Sequence, residues 1–323
     1  MTQILPTETA LERAVALLRA GDIIAIPTET VYGLAAVATN GEAVARIYEV
    51  KGRPRFNPLI VHVSDRAMAE EIAVFDAMAR RLADAFWPGA LTLVLPLRRS
   101  GAVHPLTTAG LETVALRMPQ GFAAEVIARL GLPLAAPSAN SSGRISPTTA
   151  EAVEADIGRR IPLIVDAGPT PIGVESTIVA VGQGSLRLLR PGGVPAEEIE
   201  RVAGCPLARG SDSVVAPGML ASHYAPAARM RLNAVQVRPG EALLAFGSER
   251  AQGAEVAVKV LNLSEGGDLR EAAANLFSHM RALDMTGAKV IAVEPVPSEG
   301  LGEAINDRLA RAAAPRDKAG AQA

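Results

Sequence analysis

The run Lys51 to His62, KGRPRFNPLIVH, packs one Lys, two Arg, an Asn and a His around two prolines. Lys51 is the only lysine before Lys259, in a chain that otherwise uses Arg for its cations. A compact ammonium between Arg46 and Arg53 differs chemically from a planar guanidinium. Cations at a turn that leads into an apolar strand suit an anion or a phosphate. The same residues also fit a solvated basic turn.

Four further stretches carry groups of the right type. In PTETVYGL, residues 27–34, Thr28 and Thr30 offer hydroxyls, and Gly33 lets a ligand approach the backbone. In TVALRMP, residues 113–119, period two puts Thr113 and Arg117 on one face. An Arg in an apolar strand needs an anionic partner, because an unpaired buried charge is costly. That partner is either an internal carboxylate, such as Asp166 or Glu175, or the carboxylate of a ligand. PSANSSGRISPT, residues 137–148, is polar and turn-prone directly after an apolar run, where ligand loops of α/β folds lie. Arg190 stands at a strand end beside two glycines, and Glu175-Ser176-Thr177 leads into a strand. SHYAP, residues 222–226, sets a His and a Tyr in a segment of small residues. Walker, dinucleotide-fingerprint and Gly-x-Ser-x-Gly patterns are absent.

The elements that must carry these groups alternate irregularly. Leu11, Val15 and Leu18 share a face of a helix over 7–20, which Gly21 ends. Strands are expected over 22–27, 58–63, 91–96, 113–119, and in LIVD, STIVAV and LRLLRP. Helices are expected over 41–50, 66–72 (capped by Ser64), 75–86, 122–130, and from Thr148 or Thr149 to Ile157. Some strands follow one another directly, which predicts a mixed, partly antiparallel sheet with packed helices. Residues 206–230 are rich in Ser, Pro, Ala and Gly and read as a linker. A smaller alternating α/β unit follows. The expected division is 1–205, a linker over 206–230, and 231–323.

Composition narrows the function. Hydrophobic residues at 49% and charged residues at 20% predict a globular chain. Aromatics at 3% leave few stacking platforms for single-stranded nucleic acid, and a net charge of -2 argues against nucleic-acid binding by the whole surface. Cys205 is the only cysteine, which excludes a cysteine-cluster zinc site and an intrachain disulfide. No apolar run is long enough to span a bilayer and no secretory signal is visible, so a cytoplasmic location with no membrane partner is expected.

PTETVYGL, KGRP with NPLIVH, the SAN loop with SPT, ESTI, RPGG, SHYAP, GDLREAAANLF and EGLGEAINDRL occur in order along nearly the whole chain. Together they resemble the threonylcarbamoyl-AMP synthase family in its long, two-domain form. The resemblance implies a YrdC-like twisted mixed sheet, joined by a linker to a small Rossmann-like α/β domain. It implies that L-threonine, bicarbonate and ATP give threonylcarbamoyl-adenylate, pyrophosphate and water. Separate proteins then transfer the threonylcarbamoyl group to an adenosine beside the tRNA anticodon, with room for a weak direct tRNA contact.

Carried over by matching motif, Thr30, His62, Arg117 and Ser176 (or Thr177 beside it) fall on L-threonine-binding positions. Arg53, Asn57, Thr113, Ser138, Asn140, Ser146, Arg190 and Tyr224 fall on or near ATP-binding ones. Lys51 and Arg53 form the family's cationic pair and are the catalytic candidates. Mg2+ would accompany the phosphates with few protein ligands, and the SHYAP segment would act as a lid. Two rivals are a non-catalytic RNA-binding module and a carbamoyltransferase that makes carbamoyl-adenylate for another acceptor. The single cysteine counts against the second, whose relatives carry zinc fingers.

Overall fold

The computed structural model describes residues 2–98, 101–182, 185–209 and 223–315. The chain divides into two compact units, residues 1–142 with 146–219, and residues 143–145 with 220–323.

The strands of the first unit are β1 (Gln3–Pro6), β2 (Ile24–Ile26), β3 (Gly33–Val37), β4 (Ile60–His62), β5 (Leu91–Pro96), β6 (Thr113–Arg117), β7 (Leu134–Ala135), β8 (Leu163–Asp166), β9 (Thr177–Gly182), β10 (Ser185–Arg190) and β11 (Ala208–Arg209). Its helices are α1 (Thr7–Arg19), α2 (Gly41–Lys51), α3 (Arg66–Ile72), α4 (Ala77–Phe86), α5 (Pro105–Thr108), α6 (Phe122–Leu130), α7 (Ala150–Ile157) and α8 (Ala196–Ala203). Among the described residues the strands form one sheet in the order β1-β8-β2-β3-β7-β4-β6-β5-β9-β10-β11. It is mixed: β4 with β6 and β5 with β9 run parallel, while β2 with β3 and β5 with β6 run antiparallel.

Both faces of the sheet are covered, and the period of two sorts the side chains between them. Ile24, Ile26, Ala35, Val37, Leu163 and Val165 pack with α1 and α6. Ile23, Ala25, Leu34, Ala36 and Ile164 lie in the larger core with residues of α2, α4, α7 and α8.

The second unit holds β12 (Arg229–Arg231), β13 (Ala242–Ala245), β14 (Val260–Asn262) and β15 (Val290–Val293), with α9 (Leu269–Asp284) and α10 (Leu301–Ala313). The sheet is parallel throughout, in the order β12-β15-β13-β14. Leu276, Phe277, Met280 and Leu283 make the buried stripe of α9.

Two local expectations change and one open alternative is settled. Asp65, not Ser64, caps α3, accepting from Met68 N, and Ser64 donates to the Asp65 carboxylate instead. Thr149 rather than Thr148 caps α7. The stretch read as a linker contains β11 near its start and runs into β12 at its end, and residues 210–222, Ser222 included, lie outside the described residues. No described helix is long and apolar enough to cross a membrane.

Candidate active site

The cationic run is set by the end of α2. Asn40 caps its start, accepting from Glu42 N and Ala43 N. Gly52 ends it in the left-handed conformation at φ 59°, which lets Lys51 and Arg53 turn inward on either side. Lys51 is 3% exposed. Its Nζ donates to Ser138 O at 2.6 Å, Asn140 O at 2.5 Å and Asn140 Oδ1 at 3.4 Å. Burial, and then the neighbouring Arg53 cation, hold its pKa well below the ordinary lysine value. The charges of Asp156 and Glu175 act the other way through space.

Arg53 is also buried. Its Nε donates to Asn57 O at 3.1 Å, and its Nη2 to Asn57 Oδ1 at 2.7 Å and to Pro58 O at 2.8 Å. These bonds orient the Asn57 amide. Its Nδ2 is buried without a hydrogen-bond partner among the described residues. A buried donor left unpaired is costly, so this one is suited to a ligand acceptor.

A second cluster forms at the C-terminal ends of β4 and β6, where His62 and Arg117 are register partners. Arg117 is 4% exposed, and each of its three nitrogens has one partner, which leaves an N–H on each Nη. Nε donates to Gly89 O at 3.1 Å, Nη1 to Thr30 Oγ1 at 2.9 Å, and Nη2 pairs with Glu29 Oε1 at 2.7 Å. The internal partner is therefore Glu29. Of the two carboxylates expected there, Asp166 accepts from Gly168 N and Glu175 accepts from Ser146 Oγ at 2.6 Å. The other oxygen of Glu29 accepts from Gln120 N. His62 is held down to about 3 by burial and then by the Arg117 cation, so its imidazole is neutral. Its Nδ1 has no hydrogen-bond partner among the described residues.

A third cluster joins the ESTI and RPGG turns. A Cβ on Gly192 would sit 2.3 Å from Glu175 O and 2.4 Å from both Ser176 C and Thr177 N, so the two turns meet backbone to backbone. That approach brings Arg190 onto Ser176: Nη2 reaches Ser176 O at 2.8 Å and Ser176 Oγ at 3.3 Å. Ser176 Oγ also lies 2.7 Å from Thr92 Oγ1. The Thr177 hydroxyl instead donates to Val194 O and accepts from Val194 N. Geometry thus separates the two adjacent hydroxyls.

Thr30, His62 and Arg117 come together, as do Lys51, Ser138 and Asn140. Thr113 lies at the opposite end of β6 from Arg117, about 13 Å away for four strand steps. It shares that end with Arg53 and Asn57, since β4 and β6 run parallel. Tyr224 belongs to the second unit, where it is fully buried at φ 61°. Its ring stacks on Phe277 with centroids 5.4 Å apart, and the Arg308 guanidinium lies 5.1 Å from its centroid. Glu29, which stands between Thr28 and Thr30, is not among the residues expected from the sequence. The signal was a carboxylate in an otherwise uncharged turn next to a strand. Among the described residues no group of three or more His, Cys, Asp or Glu is arranged to hold a metal ion.

Comparison with known proteins places these groups in context. A family model described as telomere recombination matches residues 16–192, and one described as the C-terminal domain of threonylcarbamoyl-AMP synthase matches residues 194–314. The chain is 42% identical over 324 residues to the threonylcarbamoyl-AMP synthase of Bacillus subtilis (strain 168), covering 95% of this chain and 93% of that one. It is 41% identical over 322 residues to the threonylcarbamoyl-AMP synthase of Pyrococcus abyssi (strain GE5 / Orsay), covering 94% of each. The crystal structure of P. abyssi Sua5 complexed with L-threonine matches with a TM-score of 0.88 at 39% identity, over 97% of this chain and 98% of that one.

Proposed function

The chain belongs to the threonylcarbamoyl-AMP synthase family, and from that membership we propose that it makes L-threonylcarbamoyladenylate and pyrophosphate from L-threonine, bicarbonate and ATP. The product then serves the modification of tRNA next to the anticodon. The observation that carries this reading is the separation of two buried cationic settings in the first unit. Arg117, Thr30 and the neutral His62 suit an amino acid, and Lys51, Arg53 and Asn57 suit a nucleotide.

The chemistry asks for two such settings. The threonine amine adds to the carbon supplied by bicarbonate, water leaves, and a carbamate forms. A carbamate oxygen then attacks the α-phosphorus of ATP, the bond from that phosphorus to the bridging oxygen breaks, and pyrophosphate departs. Two anions must meet, so fixed cations have to offset their repulsion and the charge that develops at phosphorus. A guanidinium already braced by Glu29 on one edge can present its remaining N–H groups to a carboxylate without moving. The Lys51 ammonium is held by carbonyl oxygens rather than by a contacting carboxylate, so its charge remains for an arriving phosphate. The neutral imidazole can accept from the substrate without adding positive charge beside Arg117. Ser138, Asn140, Ser146, Ser176, Thr113 and Arg190 add hydroxyls, an amide and a cation to the same unit, and Tyr224, which the resemblance puts at an ATP-binding position, belongs to the second.

Mg2+ is proposed to travel with the triphosphate. The donors around Lys51 are cations, amides and hydroxyls, which suit phosphate oxygens rather than a metal, and Glu29 and Glu175 are engaged by Arg117 and Ser146. The ion would be held by phosphates and water and would neutralise phosphate charge. Bicarbonate as carbon donor, hand-over of the product to tRNA-modifying transfer proteins, and a cytoplasmic location complete the proposal.

The test is pyrophosphate release with each substrate omitted in turn, for the wild type and Lys51→Ala. Release should require all three substrates and fall about 100-fold or more in the variant. Release without threonine would point to another acceptor. Absence of release, together with RNA binding that weakens steeply with salt, would favour the binding-module reading.

A further inference from the structure

The SAN loop is gripped from two sides, and the outer grip has no counterpart in the groups described so far. On the inner side Lys51 holds the carbonyls of Ser138 and Asn140. On the outer side stand Asp156, in the last turn of α7, and Arg160, which ends the 3-10 turn after it. Asp156 takes Ser141 with both oxygens: Oδ1 accepts from Ser141 Oγ at 2.6 Å, and Oδ2 from Ser141 N at 3.0 Å. Arg160 Nη2 donates to the same hydroxyl at 3.0 Å, while its Nη1 donates to Val50 O, the residue before Lys51.

One guanidinium therefore ties the loop to the end of α2, and Ser142 N donates to Lys51 O at 2.7 Å as a parallel strut. The grip passes on to Asn140. Its Nδ2 donates to Ser141 O at 2.9 Å, and its Oδ1 faces Lys51 Nζ. Fixing Ser141 thus fixes the amide of Asn140 and the height of the ammonium together.

We infer that Asp156 and Arg160 are positioning residues that lock Ser141, Asn140 and Lys51 into one preformed cradle for the nucleotide. The inference rests on the functional reading above in taking that nucleotide to be ATP. Neither side chain is placed against the reacting atoms. They act by removing the loop's freedom before the nucleotide arrives, and binding gains from what need not be ordered at that moment. The amino-acid setting around Arg117 shares none of these contacts, so the effect is confined to one substrate. Asp156 also adds a negative charge within electrostatic reach of Lys51, which favours the ammonium form.

The experiment is calorimetric titration of MgATP, and separately of L-threonine, into the full-length wild type, Asp156→Ala and Ser141→Ala. Loss of the carboxylate should raise the Kd for ATP about tenfold, as for a lost charge-assisted hydrogen bond. Ser141→Ala removes one oxygen and no charge, and should raise it about threefold or more. The Kd for L-threonine should stay within about twofold in both, a split that general loosening of the fold would not produce. Ser141→Ala keeps the question decidable if Asp156→Ala does not fold. An unchanged Kd for ATP in the folded variants, an equal weakening for threonine, or a wild type that does not bind ATP would each overturn the inference. A wild type that binds ATP but releases no pyrophosphate would sink the reaction and leave the cradle to be judged by its Kd values.

Discussion

Arg117 and Lys51 are both buried cations, and they are stabilised in opposite ways. Arg117 has its compensating charge built in: Glu29 lies 2.7 Å away, itself buried and anchored by Gln120 N. Lys51 has carbonyl oxygens as its contacts, and the carboxylates of Asp156 and Glu175 act on it only through space. Carbonyl dipoles satisfy N–H groups but do not cancel a charge. Among the described residues the first cation therefore has a carboxylate in contact and the second has none, which suits the second to the phosphates of the proposed reaction. On the proposed function, a pair of this kind would let one unit take both an amino acid, whose own charges balance, and a polyanion.

The sharpest way to break the comparison is to remove the built-in carboxylate. Glu29→Ala leaves Arg117 buried and unpaired, which should cost about 3–5 kcal/mol of stability in urea denaturation. Lys51→Met should cost less, about 1–2 kcal/mol. It strands carbonyl acceptors but also removes a poorly compensated charge. Equal losses in the two variants would mean that the compensation differs less than the geometry says.

His62 tests the Arg117 side by pH. Its imidazole is lowered to about 3 in the native state, from an ordinary value near 6.5. Between those values the unfolded chain binds the extra proton and the native state does not. The stability is thus fully present above pH 6.5 and is lost as the pH falls towards the native value. At about 1.4 kcal/mol per unit the ceiling is roughly 5 kcal/mol. Urea midpoints for the wild type and His62→Gln between pH 7 and pH 4 should diverge in that sense, the variant losing less. Parallel curves would refute it.

The same two cations show how much was legible beforehand. Lys51 stood out because the chain avoids lysine, and Arg117 because period two put it in an apolar strand that could not leave it unpaired. Which carboxylate paired with it was not legible, since Glu29, Asp166 and Glu175 are equally acidic in one dimension and only the register of β4, β6 and the turn after β2 chooses among them. β3 escaped notice because GLAAV is buried on both faces and so lacks alternation. The sequence pattern ends α7 at Ile157, as observed, but the role of Asp156 depends on a loop fifteen residues earlier in the chain folding back onto it. The different partners of the Ser176 and Thr177 hydroxyls depend on the close approach of Gly192, which no local pattern encodes.

The two ends of α2 give the finest contrast. Asn40 caps the end remote from Lys51, and Gly52 closes the end that carries it. Asn40→Ala removes an acceptor for two backbone N–H groups and should cost about 1 kcal/mol. Gly52→Ala forces a Cβ into left-handed backbone at φ 59°, but that Cβ would meet nothing within 4 Å, so the cost is conformational alone and again about 1 kcal/mol. Equal thermodynamics should come with unequal chemistry. A strained Gly52 position shifts Lys51 and Arg53 against the SAN loop, whereas a frayed first turn leaves both in place. Pyrophosphate release per folded molecule should therefore drop about tenfold in Gly52→Ala and stay within about twofold in Asn40→Ala. If the two variants lose activity in step with their stability, the end of α2 is an ordinary helix terminus. The placement of the ammonium would then depend on the loop alone.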